Sequence, residues 1–119
     1  MQNIQPFHYG PVTLNGVANV EICPAPAAGK TRQVFAIRVT NLDTLAVAPI
    51  LKFNVSAART EIDRVPMVPS TVTDSGLACR ERPIHLIGDT QSLDMALAAA
   101  ITTSNPTVHV EGIEGTDDV

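Results

Sequence analysis

At 119 residues the chain has room for one domain, large enough to bury roughly two thirds of its unfolded surface. Its net charge of −4 comes without a basic patch, which leaves phosphate-driven binding to nucleic acid with no electrostatic basis. The hydrophobic fraction is an ordinary 45%, but aromatics are only 3% and tryptophan is absent, so Ala, Val, Ile and Leu must fill the core. A thin aliphatic core suits two sheets packed closely together. It also leaves few large anchors, so neighbouring chains are expected to help stabilise the fold.

Residues 1–11 contain Pro6 and Pro11 and show no clear periodicity. They read as an extended N-terminal arm without the charged start and apolar run of a signal peptide. Phe7 and Tyr9 flank His8 there, and such an arm is expected to lie along its own domain or along a neighbour. Residues 12–23 read as two short strands joined by Asn15-Gly16, a strong hairpin dipeptide. Pro24 and Pro26 end the second of them, because each removes a backbone donor. Residues 27–31 are a turn with Gly29 free to take positive φ.

Residues 33–41 are the clearest strand, with Phe35, Ile37 and Val39 on one face and Val34, Ala36 and Arg38 on the other. Both faces are mostly apolar, which predicts a central position. Residues 45–55 follow as a partner strand, with Leu51, Phe53 and Val55 alternating against Lys52 and Asn54. Residues 61–68 read as an edge strand, 69–76 as a loop, and 79–87 as a second edge strand interrupted by Pro83. Gly88-Asp89 is a tight turn. In residues 91–99 the alternation of Leu93, Met95 and Leu97 favours a strand over the helix that the alanines would also suit. Residues 107–113 form the last strand. The acidic tail 115–119 is expected to fray. Seven or eight short strands at this spacing predict an all-β fold, an antiparallel β-sandwich of jelly-roll type, with residues 12–114 as the domain.

Reactive constellations are not apparent. The run AAGKT at residues 27–31 matches the end of a phosphate-binding loop, but Pro24 stands where the first glycine is required and a strand-like run follows. His8, His85 and His109 have no second histidine or cysteine at ligand spacing. Glu61 and Asp63 lie near Arg59 and Arg64, which reads as a solvated charge cluster rather than an acid–base pair. No serine sits in a nucleophile elbow, and Cys23 and Cys79 lack the local text of a catalytic thiol. Both are expected as buried free thiols. Arg80, Glu81 and Arg82 are the densest charge run, read either as protection of a sheet edge or as an intersubunit salt-bridge patch.

The order of the segments resembles small virion proteins of tailed bacteriophages. The elements that carry the resemblance are the proline–alanine turn 26–31 opening a strand that ends at Asn41, the turn 88–90, and the closing strand text 110–114. Such proteins are β-sandwich modules found as head decoration (cement) proteins and as neck or tail accessory proteins. The resemblance implies a non-enzymatic structural protein of the virion without a cofactor. Its partners would be the major capsid protein or other virion proteins, and it would form a homo-oligomer, a trimer above all. The residues expected at intersubunit contacts are Phe7, Tyr9, Arg80, Glu81 and Arg82. A neck, collar or tail accessory protein of the same fold is the alternative. A carbohydrate- or receptor-binding module is a further one, but it would need an aromatic platform that one tyrosine and no tryptophan can hardly build.

Overall fold

The computed structural model describes residues 2–41, 44, 46–67, 71–74, 81–100 and 104–116. These form nine strands: β1 (Gln2–Thr13), β2 (Val20–Cys23), β3 (Lys30–Thr40), β4 (Pro49–Val55), β5 (Ala58–Arg64), β6 (Val72–Asp74), β7 (Ile84–Ile87), β8 (Gln91–Leu97) and β9 (Thr107–Thr116). The first sheet runs β1-β9-β3-β6, with β7 also paired to β3, and the second runs β2-β8-β4-β5. Every pairing is antiparallel. The two sheets pack face to face as the expected sandwich.

The pairing is nested. β1 pairs with β9, β2 with β8, β3 with both β7 and β6, and β4 with β5. Successive pairs fall alternately in the first and second sheets. This is the winding of a jelly roll in which one strand has been cut into two short pieces, β6 and β7, that share the edge of β3.

Alternation explains the core. Ile22, Val34, Ile37, Val39, Leu51, Leu93, Met95, Val108 and Val110 are fully buried between the sheets. Phe7, Val12, Phe53 and Ile84 are only partly buried and pack against them. The interior is therefore aliphatic, as the composition requires. Burying each such side chain contributes about 1.5–3 kcal/mol.

Several local expectations change. The N-terminal segment is extended, and it lies along its own domain: β1 runs the length of β9, from Gln2 opposite Thr116 to Thr13 opposite Thr107. Asn15-Gly16 does make a turn, closed by the Ala18 amide donating to the Asn15 carbonyl at 3.0 Å. It joins no hairpin, however, because β1 and β2 belong to different sheets. β3 and β4 likewise lie in opposite sheets, so residues 45–55 do not partner 33–41.

In β3 the register shifts between Val34 and Ala36. This bulge buries Val34 with Ile37 and Val39 and leaves Phe35 only half-buried, reversing the facing expected for residues 34 and 35. The bulge meets Gly112 across the ladder. A Cβ at Gly112 would stand 2.1 Å from the Gln33 carbonyl oxygen, so only glycine fits there.

The expected loop 69–76 contains β6, and β9 extends to Thr116 rather than fraying at residue 115. Cys79 and residues 117–119 lie outside the described residues. Cys23 is a buried free thiol.

One hairpin went unanticipated. β4 and β5 turn through Ser56-Ala57, with φ of 49° and 73°. A two-residue turn with both central residues at positive φ is of type I′, which favours Asn-Gly. Replacing Ser56-Ala57 by Asn-Gly should raise stability by about 1 kcal/mol, because the αL penalty of the alanine is removed. The thermal unfolding midpoint should rise by about 4 °C. An unchanged or lowered midpoint would contradict this assignment of the turn.

Candidate functional site

The sandwich presents two outer faces, and they differ in kind. On the second sheet the outward residues tie one another down. Asp94, almost fully buried on the central strand β8, is bridged by Arg59 reaching from the edge strand β5. Lys52 Nζ donates to Asn19 Oδ1 at 2.6 Å, and Asn54 Nδ2 donates to Ser92 Oγ at 3.0 Å. Ser92, Asp94 and Ala96 are all buried although they point away from the core, because neighbouring side chains fold over them. At the far edge Glu61 pairs with Arg64 at 2.9 Å, an exposed contact worth about 0–1 kcal/mol.

The outer face of the first sheet is open. Register and alternation put Pro6 and His8 of β1, His109, Glu111 and Ile113 of β9, and Phe35, Ala36 and Arg38 of β3 on it. Exposed Val72 and Ile87 extend it along β6 and β7. Two open grooves cross it. One is lined by Ala36, Arg38, Thr40, Val72, His109 and Glu111, the other by Pro6, Phe7, His8, Phe35, Glu111 and Gly112. Apolar side chains and charged groups alternate along both.

The contact residues expected from the sequence do not converge. Phe7 is half-buried, with the Arg32 guanidinium carbon 4.8 Å from its ring centre. Tyr9 is partly exposed on the same edge strand. Glu81 and Arg82 are exposed just before β7, at the opposite edge of the sheet. Arg80 lies outside the described residues.

The structure does bring together a pair that local spacing hid. His109 Nδ1 and His8 Nε2 are 3.4 Å apart, with ring centres separated by 5.5 Å. The two are 101 residues apart in sequence, and only the pairing of the first strand with the last makes them neighbours.

Near the other end of β3, Arg32 gathers Phe7, Glu114 and the Pro24 carbonyl, with its Nε 3.0 Å from Glu114 Oε1. Cys23 sits beneath it. Burial pushes this thiol up from its ordinary 9.0 to about 12, and the Arg32 charge only partly opposes the rise. The thiol is thus held neutral and non-nucleophilic. The AAGKT segment is a turn in which the Lys30 amide donates to the Ala27 carbonyl at 3.0 Å and Gly29 takes φ of +79°. It opens β3, not a helix, so no helix N-terminus faces a phosphate there. Among the described residues no helix is long and apolar enough to cross a membrane.

No protein-family model matches the chain, and no curated protein matches it. Among solved structures it is similar to a chain of the cyanophage Pam1 capsid asymmetric unit. Identity is 15%, the match covers 97% of this chain and 86% of that one, and the TM-score is 0.48.

The Cys23 environment sets a pH dependence. Folded, the thiol keeps its proton to about pH 12, whereas the unfolded chain releases it near 9.0. The stability this contributes is complete below pH 9.0 and is lost as pH rises toward 12. Denaturant titrations of the chain and its Cys23→Ala variant should show their difference changing by about 1.4 kcal/mol per pH unit above that point, against the wild type. A difference that stays flat with pH would contradict the buried neutral thiol.

Proposed function

We propose that this chain is a structural protein of a tailed-phage virion, specifically a decoration protein that docks on the assembled head and reinforces it without chemistry of its own. One observation carries the reading: the asymmetry of the two outer faces. The second sheet ties its outward polar side chains to one another through the Asp94–Arg59, Lys52–Asn19 and Asn54–Ser92 contacts, with the buried Asn54 Oδ1 left without a partner. The first leaves Val72 and Ile87 more than half exposed, beside Phe35, Ile113, Arg38 and Glu111. A face of mixed apolar and charged side chains crossed by open grooves suits a flat protein partner better than a small substrate. The resemblance of the turn and strand text to small phage virion modules supplies the class of partner, the subunits of a viral shell. Three copies around a local threefold axis would present three such faces, and avidity would offset a modest area per copy.

The reading is tested by rebinding purified chain to virus heads from which it has been stripped. Val72→Asp and Ile87→Asp, both on exposed side chains, should abolish co-sedimentation while leaving the thermal midpoint within a few degrees of wild type. Thr60→Asp on the exposed edge strand β5 should bind as wild type. Hundreds of copies per particle are expected; a few copies would favour the neck or tail accessory role. Binding to a glycan array with no affinity for heads would overturn the reading in favour of a carbohydrate module.

A further inference from the structure

We propose that Asn15 is a site of spontaneous deamidation that the fold holds in check through Asn105. Asn15 is the only asparagine of the chain followed by glycine. Asparagine is a thermally labile residue. It reacts most readily before glycine, whose missing side chain leaves the next backbone nitrogen open to approach. Water is the only co-reactant. The Gly16 nitrogen bonds to Asn15 Cγ, its proton departs with the side-chain amide as ammonia, and a cyclic imide closes. Water then opens the imide at either carbonyl and leaves aspartate or isoaspartate at position 15.

The structure leaves the side chain open and ties up the nucleophile. Asn15 is exposed, so water reaches it freely. Gly16 is half-buried, and its N–H donates to Asn105 Oδ1 at 3.0 Å, across 89 residues of sequence. While that bond holds, the peptide plane cannot turn its nitrogen toward the Asn15 side chain. Two further bonds pin the same turn. The Leu97 amide donates to the Gly16 carbonyl at 2.9 Å, and the Leu14 amide donates to the Pro106 carbonyl at 2.9 Å. Asn105 is itself protected from the same reaction, because Pro106 follows it and has no backbone N–H to give up.

Modification here reaches both sheets. The turn joins β1 of the first sheet to β2 of the second, and the Ala18 amide closes it on the Asn15 carbonyl at 3.0 Å. Isoaspartate diverts the main chain through the side-chain carbons. That lengthens the turn and removes the peptide carbonyl that closes it. Leu14, the preceding residue, is almost fully buried, so the displacement is passed to the core. The Asn105 bond therefore guards the covalent integrity of the joint between the sheets.

The test incubates the full-length chain in native buffer and in urea, and follows deamidation at Asn15 by peptide mapping with isoaspartate detection. Folding should slow the reaction by the same factor as it slows hydrogen exchange of the Gly16 amide, since both require the bond to Asn105 to open. Asn105→Ala should speed the native reaction by about two- to tenfold, the weight of one net hydrogen bond. Asn105→Asp, which keeps an acceptor oxygen, should stay close to wild type. Val39→Ala, a cavity in the core of β3, should lower the thermal midpoint yet leave the native rate at Asn15 unaltered. Deamidation as fast in native buffer as in urea would overturn the proposal. So would an Asn105→Ala chain no faster than wild type, or a Val39→Ala chain accelerated as much as Asn105→Ala. The comparison of deamidation with amide exchange uses the wild type alone, and a mismatch between the two factors overturns the proposal whether or not Asn105→Ala folds.

Discussion

The two ladders of β9, one to β1 and one to β3, are the constraint on which the rest of this molecule depends. β9 is the last strand in sequence, yet it occupies the interior of the first sheet. The sheet cannot close until nearly the whole chain is available. Its register is set tightly where β3 bulges, because Gly112 lets the Gln33 carbonyl approach to a distance no side chain would tolerate. That contact chooses which of Val34 and Phe35 enters the core. It thereby also decides which apolar group is left on the outer face.

Strand positions were legible in the sequence wherever alternation was strong. Leu93, Met95 and Leu97 were enough to assign β8, and the central place of β3 followed from its two apolar faces. What local text could not convey was partnership. Asn15-Gly16 looks like a hairpin and makes only a turn between sheets, whereas Ser56-Ala57 looks like nothing in particular and closes the β4–β5 hairpin of the second sheet. The reason is physical. Turn dipeptides report backbone conformation over two residues, and which strands pair is settled by burial across the whole sandwich. A three-residue strand such as β6 carries too little periodicity to be read at all. The facing of Phe35 failed for a related reason, since one extra residue at a bulge reverses an alternation that is otherwise sound.

The candidate sites follow the same division. Cys23 was expected as a buried free thiol because two cysteines in a chain of this size make no disulfide framework, and the register shift between Glu21 and Cys23 is what the alternation did not convey. The approach of His8 to His109 was not legible, because it arises from nested pairing that joins the two ends of the chain. Phe7 was expected as a contact for a neighbour because an aromatic in a terminal segment is costly to leave in water. Part of that cost is met internally, by the core and by Arg32 over its ring. The contrast between an outer face whose polar side chains are largely tied to one another and a more open one was likewise invisible in composition, since both faces draw on the same residue types.

Native-state hydrogen exchange tests most directly whether the N-terminal strand is part of the nested fold. The β1 amides that bond to β9 should exchange with the same opening free energy as the β9 amides bonded to β3, because both belong to one cooperative sheet. Exchange of residues 5–9 at the rate of an unstructured peptide, while β9 and β3 stay protected, would contradict it.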